Sequence, residues 1–296
     1  MLPPAVDAER RQARLRSGPL SYYVAGEGHP MLLVHSINAA GSVYEMRPVF
    51  ERMRDHYRVY AVDLPGFGFS DRSDRAYTVR LYVDAVHDML DVIGDDTTKD
   101  AVHVAALSLS AEFVARAATE RQDRFETLAL ITPTGFDANA SKLRDDGTRE
   151  VPGLAFVFEG RPWSGALFRL LTRKSTIRYF LRRTYGSRDV DEGMVEYDYL
   201  TTHQPGAEHA PYAFISGRLF SKDIRDVYER LDVPVWLAHG TRGDFADFSE
   251  AAWTRARDNW SVDAFETGAM PHFEQPREFF AGYERFLAHA GPQEAR

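Results

Sequence analysis

The sequence predicts an α/β fold on a mostly parallel sheet, interrupted in its second half by a helical insertion. Three observations carry this. Short apolar runs alternate with longer amphipathic segments, as successive strand-helix-strand units require. The run AVHVAALS (101–108) passes straight into a helical pattern with a serine at the junction. Strand signals lapse from about Gly135 to Ile224 and return at Val233.

Taken in order, LSYYVAGEG (20–28), MLLVHS (31–36) and YRVYAVDL (57–64) read as strands. Tyr82, Val86, Met89, Leu90 and Ile93 then fall at helical spacing before Gly94, which reads as a C-terminal cap. AVHVAALS, a helix over about 110–120 and TLALIT (127–132) extend the pattern, and crossover geometry makes such strands parallel. Ligands of such sheets bind at the carboxyl ends of the strands. Within the insertion, segments such as SGALFRLLTRKSTIRYFLRRTY are helix-like, aromatic and basic. The sheet pattern resumes with VPVWLAHG (233–240), a helix near 249–259, SVDAFE (261–266) and a last helix containing FFAGYERFLAHA. The expected division is a core of 1–137 and 225–296 with a helical cap, or lid, of 138–224.

Composition narrows the chemistry. The chain has 296 residues, enough for one large domain with a small satellite. Its 36 Lys and Arg against 44 Asp and Glu give a charge of −8 with no basic block, which argues against nucleic acid as a partner. There is no cysteine, so disulfides, thiolate zinc sites and thiol nucleophiles are excluded. No histidines stand at metal-ligand spacing, and neither a metal nor a cofactor is expected. Neither a signal-like apolar start nor an apolar run of about 18 residues is present, so a cytoplasmic protein without a membrane partner is expected.

The segment carrying chemistry is Val104-Ala105-Ala106-Leu107-Ser108-Leu109-Ser110-Ala111. Ala106 and Ser110 flank Ser108 at two residues' distance. A strained strand-to-helix turn tolerates only small side chains there, because strand and helix pack closely. Ser110 is the competing nucleophile, but Glu112 would then occupy one of its small-residue positions. The plain alternative is a serine capping a strand-to-helix turn.

With two further segments the chain resembles the α/β-hydrolase family over nearly its whole length. LLVHSIN (32–38) is similar to the family's strand ending in His-Gly, with Ser36 at the glycine position. DLPGFGFSD (63–71) is similar to its Asp-x-x-Gly-x-Gly-x-Ser turn, through Asp63, Gly66, Gly68 and Ser70. The resemblance implies an α/β-hydrolase fold and an oxyanion hole from the backbone N–H groups of Ile37 and Leu109. It also implies a triad in the order serine, acid, histidine. Asp244 in AHGTRGDFADF resembles the family's Gly-x-x-Asp acid with one residue more, and Asp247 and Asp137 are the alternatives.

The base departs most from the family pattern. Gly-His-x-x-x-x-Glu-x-Pro is matched by GAMPHFEQP (268–276), with Gly268, Glu274 and Pro276 kept and Ala269 where the histidine belongs. Either His272, three residues on, serves as the base, or the base is missing and His272 is structural; His289 is the other histidine after the acid. His35 reads as a brace for the oxyanion loop. Asn38, Ser36, Trp163 and His203 are candidates for the substrate pocket, under aromatics that include Phe156, Phe158, Tyr179 and Phe180.

The expectation is therefore a serine hydrolase of an ester, lactone or related activated carbonyl in a small, largely apolar molecule. Ser108 would be the nucleophile, His272 the base and Asp244 the acid. The rivals are a diverted enzyme of the same fold (carbon–carbon hydrolase, lyase or cofactor-free tailoring enzyme) and a non-catalytic small-ligand receptor.

Overall fold

A computed structural model of the chain describes residues 2–138, 147–151, 153 and 163–290. Its strands are β1 (Glu9–Leu15), β2 (Gly18–Ala25), β3 (Pro30–Val34), β4 (Arg58–Asp63), β5 (Val102–Leu107), β6 (Phe125–Ile131), β7 (Val235–Gly240) and β8 (Trp260–Phe265). They form one eight-stranded sheet in the order β1-β2-β4-β3-β5-β6-β7-β8. The β1/β2 and β2/β4 pairs are antiparallel and the rest parallel. This is the α/β-hydrolase fold expected.

Every residue of β3 and β5 is buried, as strands covered on both faces must be, which is why they read as continuous apolar runs. Alternate residues still serve different layers. Leu32 and Val34 pack with the helices α2 (Val79–Thr97) and α3 (Ser110–Glu120). Met31 and Leu33 pack with α1 (Arg47–Met53) on the other face.

Three local expectations change. β1 was not anticipated, because ERRQARL is a charged edge strand with its residues exposed or half-buried; the charges keep an open sheet edge from pairing with other chains. Gly94 is not the cap of α2. The helix runs on to Thr97, and Thr98 takes the left-handed turn at φ 56°, its N–H bonded to the Gly94 carbonyl. The segment after β7 forms a 3-10 helix over Ser249–Ala256 rather than an α-helix.

Between β6 and β7 lie α4 (Ser164–Leu171), α5 (Lys174–Tyr185), α6 (Glu192–Thr202), α7 (His209–Ile215) and α8 (Ile224–Glu229). Residues 147–151 run beside 216–222, through Arg149 N–H to Phe220 O (2.9 Å), Val151 N–H to Ser216 O (2.8 Å) and Lys222 N–H to Gly147 O (3.0 Å). That pairing ties the two arms of the insertion together. Glu112 of α3 anchors it to the core, accepting from Ser221 N–H (2.9 Å) and Thr134 Oγ1 (2.5 Å); burial raises its carboxyl to about 7. Phe156 and Phe158 lie outside the described residues, and Tyr179 and Phe180 are exposed on α5. No described helix is long and apolar enough to cross a membrane.

The chain closes with α9 (Pro271–Glu274) and α10 (Pro276–Ala290), which brings an aromatic stack onto β7. Trp236 is 1% exposed and lies parallel to Tyr283 at 5.2 Å between ring centroids, with Phe279 at 5.1 Å. Its Nε1 donates to Asp263 Oδ2 at 2.9 Å. Replacing Trp236 by Ala removes that stack and leaves a large cavity. Urea unfolding should show a loss of about 3–5 kcal/mol, and a loss below about 1 kcal/mol would mean that α10 is not held by this contact.

Candidate active site

The turn between β5 and α3 places Ser108. Its φ is 56°, a left-handed value that costs a non-glycine residue energy and persists only where surrounding structure enforces it. The enforcement is visible. Ser108 N–H donates to Ile131 O (2.8 Å), the Ser108 carbonyl accepts from Ala111 N–H (3.0 Å), and Ala106 and Ser110 are fully buried on either side. Ser110 Oγ donates to His35 O at 2.6 Å, so that hydroxyl is engaged in tying α3 to the end of β3. Ser108 Oγ makes no hydrogen bond among the described residues and is partly exposed. Of the two serines, only Ser108 presents a free hydroxyl at the carboxyl edge of the sheet.

Beside it, the loop after β3 is set by His35. Its Nδ1–H donates to Ser36 O (2.7 Å) and its Nε2 accepts from Leu64 N–H (3.0 Å), which fixes the tautomer. Full burial pulls its pKa down to about 4. Because a trans peptide directs N–H opposite to C=O, holding the Ser36 carbonyl aims the Ile37 N–H the other way. Among the described residues, the N–H groups of Ile37 and Leu109 have no hydrogen-bond partner, although both residues are buried. Buried unpaired backbone donors are rare and need a reason. Two of them, one beside Ser108 and one on the neighbouring strand's loop, are what a developing oxyanion requires.

The acid and base sides are arranged differently. His272 is fully buried, and its Nε2–H donates to Glu45 O at 2.7 Å, while Nδ1 is buried without a partner. No hydrogen bond joins it to Ser108 or to Asp244. Burial pulls its pKa down to about 4. Asp244 faces outward, 42% exposed, in an ion pair with Arg183 at 2.5 Å. In this arrangement the expected Ser108–His272–Asp244 relay is not assembled.

The reason lies in the end of α5. Asp244 N–H donates to Arg183 O (3.2 Å) and Ala269 N–H to Thr184 O (2.8 Å), so the helix's last carbonyls are capped by the two loops that carry acid and base in the family pattern. The approach is backbone to backbone. A Cβ on Gly243 would stand 2.5 Å from Arg183 O, and one on Gly268 2.2 Å from Thr184 O. Ala269 remains near the elbow, since Thr132, next to the Ile131 that holds Ser108, donates from Oγ1 to Ala269 O (3.0 Å).

The other candidates are engaged elsewhere. Asn38 Nδ2 donates to Ser36 Oγ and Glu45 Oε1 (both 2.7 Å), and its Oδ1 accepts from Ala40 N–H (2.6 Å), so neither Asn38 nor Ser36 offers a free side-chain donor to a ligand. Trp163 is 54% exposed before α4. His203 is exposed at the end of α6, bonded to Tyr199 O. Asp247 caps the turn to Ser249, and Asp137 lies 4.0 Å from Arg149. Sequence reasoning missed Glu45, a buried carboxyl that bonds Ser36 N–H (2.9 Å); its one signal is a lone acid within the apolar run SVYEM.

Both His35 and His272 have depressed folded pKa values, so the unfolded chain, titrating near the ordinary 6.5, binds protons that the fold refuses. Their stabilising contribution is full above pH 6.5 and is lost as pH falls toward 4. Glu45, raised to about 7, acts in the opposite sense and adds stability as pH falls from 7 toward its ordinary 4.5. His272→Gln keeps a donor for Glu45 O and removes one titration. Its stability loss between pH 7.5 and 5, read by urea unfolding, should be smaller than wild type's by about 2 kcal/mol. An equal or larger loss would mean that His272 is not held neutral.

The alpha/beta hydrolase family matches residues 31–282. The chain is 31% identical over 155 residues to a haloalkane dehalogenase of Agrobacterium fabrum (strain C58 / ATCC 33970), covering 47% of this chain and 48% of that protein. It is 36% identical over 76 residues to 2-hydroxy-6-oxo-6-(2'-aminophenyl)hexa-2,4-dienoic acid hydrolase of Metapseudomonas resinovorans, covering 25% and 26%. The chain thus spans about half or less of the length of these curated relatives. Among solved structures, a serine hydrolase involved in carbazole degradation (CarC enzyme) superposes with a TM-score of 0.74 at 16% identity, over 96% of this chain and 100% of that one. The epoxide hydrolase CorEH does so with 0.73 at 20%, over 96% and 99%. These likenesses show the fold. With a matched region that runs from β3 into the last helix and takes in the Ser108 turn, this chain belongs to the alpha/beta hydrolase family.

Proposed function

We propose that the protein acts on an activated carbonyl, an ester, lactone or related group, in a small and largely apolar molecule. The carbonyl oxygen sits between the Ile37 and Leu109 N–H groups and Ser108 attacks the carbon. One observation carries this reading: a strained, unbonded serine stands beside buried backbone donors that have no partner of their own. Maintaining both is costly to the fold, and a carbonyl ligand satisfies the donors. We read residues 138–224 as the cap over this edge of the sheet.

The proton of Ser108 is the distinguishing point. A serine hydroxyl without an adjacent base is a weak nucleophile near neutral pH. His272 is committed to Glu45 and Ala269 replaces the imidazole, so acylation depends on an intrinsically reactive carbonyl and on the oxyanion hole: the Ser108 proton passes to solvent water at the partly exposed hydroxyl, the bond from the carbonyl carbon to the leaving group breaks, and that group takes a proton from water. Removing the base while keeping the hole leaves a residual but real rate enhancement. A second reading, a receptor that holds a carbonyl ligand without turnover, is favoured by the docking of α5 on the acid and base loops.

A fluorophosphonate probe decides between them. Slow covalent labelling that is lost in Ser108→Ala and kept within about tenfold in His272→Ala supports the first reading. No labelling at Ser108 favours the receptor. Loss of labelling in His272→Ala as complete as in Ser108→Ala, in a variant that stays folded and keeps the Ile37 amide resonance unmoved, would instead establish His272 as the base. Ala269→His should raise the labelling rate by tenfold or more, because it restores an acceptor at the family position; an unchanged rate would mean that α5 keeps that position from Ser108.

A further inference from the structure

The loop carrying the Ile37 N–H is held by two buried groups, and only one of them is the expected histidine. The other is Glu45, 3% exposed, in the 3-10 turn Val43–Met46. Its Oε2 accepts from Ser36 N–H (2.9 Å), and its Oε1 accepts from Ser36 Oγ (3.0 Å) and Asn38 Nδ2 (2.7 Å). The residue is itself fixed by its main chain, with Glu45 N–H on Ser42 O (3.0 Å) and Glu45 O taking the His272 Nε2–H (2.7 Å).

We propose that Glu45 is a positioning residue of the oxyanion hole, seated by His272, whose ionised carboxylate grips Ser36 and Asn38 and so sets the direction of the Ile37 N–H. This rests on the reading of that N–H as half of a carbonyl-oxygen site. The geometry carries it. Residue 36 is held at its N–H by Glu45 and at its carbonyl by His35, one on each side of its Cα. The peptide that follows then has no freedom to rotate, and rotation of this peptide would turn the Ile37 N–H out of the hole. Ser36, where the family pattern has glycine, supplies the hydroxyl that the carboxylate needs, and Asn38 supplies the amide.

The grip depends on charge. An ionised carboxylate only accepts, and all its partners here are donors. On protonation one oxygen must donate, and of these partners only Ser36 Oγ can accept, so the Ser36–Glu45 contact reverses. Burial brings this event into the neutral range, raising the carboxyl to about 7 against the pull of Ser36, Asn38 and Ser42. The groups facing Glu45 are His272, held neutral on α9, Asp198 on α6 and Tyr185 at the end of α5; the same turn also meets Asp191, the N-cap of α6, through the Tyr44 hydroxyl (3.3 Å), and Asp63, at the end of β4, through the Val43 N–H (3.4 Å). Asp198 is buried, with its own carboxyl pushed well up by burial and then by Glu45. Arg47, two residues on, is bonded to Glu51 (2.7 Å) and to the Tyr44 hydroxyl (3.3 Å).

The test reads the backbone directly. In 15N-resolved spectra of the full chain between pH 5.5 and 8.5, the Ser36 and Ile37 amides should shift together in one step with a midpoint near 7. In Glu45→Gln the step should vanish with the other amides unmoved. Ser36→Ala removes one donor to the carboxylate and should carry the midpoint upward, which keeps the test alive should Glu45→Gln not fold. Fluorophosphonate labelling of Ser108 should fall tenfold or more in Glu45→Ala and by less in Glu45→Gln, which retains an acceptor for Ser36 N–H. An Ile37 amide that does not titrate, or that titrates alike in wild type and Glu45→Gln, overturns the proposal. Absence of labelling in wild type would count against the carbonyl reading alone, because the amide titration still decides the role of Glu45.

Discussion

Two backbone segments must be held in place for this site to exist: the Ser108 turn and the Ser36–Ile37 peptide. The first is held at a left-handed φ by Ile131 and Ala111, the second by His35 at the carbonyl of residue 36 and by Glu45 at its N–H. The segments are joined, since Ser110 Oγ on the elbow helix bonds the carbonyl of His35. A shift of either strand end therefore moves Ser108 and the Ile37 and Leu109 N–H groups together, and the parallel pairing of β3 with β5 makes them one unit.

The opposite half of the site is committed to a different task. In the arrangement seen here, the loops after β7 and β8 cap the carboxyl end of α5, and the insertion is locked to the core through Asp244 N–H, Ala269 N–H and the Arg183–Asp244 pair. The exposed ion pair itself adds little. The close backbone approach at Gly243 and Gly268 is the stronger constraint, because any side chain there would push α5 away. The backbones of Asp244 and Ala269 thus serve to hold the end of this helix.

The fold was readable because its signals are local. Covered parallel strands are continuous apolar runs, and the elbow announces itself by the small residues around Ser108. β1 escaped notice because an edge strand needs charge rather than hydrophobicity. Gly94 misled because α2 ends through a left-handed threonine four residues later. In the site, the places of Ser108, Ile37 and Leu109 in the fold were legible, as they follow strand ends directly. The placement of His272 and Asp244 was not, since each is set by a partner distant in sequence, the Glu45 carbonyl for the one and Arg183 near the end of α5 for the other. Glu45 was the least legible: a single acid gives no periodic signal, and only burial against Ser36 and Asn38 distinguishes it from a surface charge.

The most direct measurement is a crystal structure of the protein with Ser108 phosphonylated by a small fluorophosphonate. The phosphoryl oxygen stands in for the oxyanion of an acyl-transfer intermediate. It should lie within about 2.7–3.1 Å of both the Ile37 and Leu109 nitrogens, with His272 still bonded to the Glu45 carbonyl and Asp244 still on Arg183. A phosphoryl oxygen directed away from those nitrogens would contradict the account, and so would a His272 ring swung onto the adduct with Asp244 behind it.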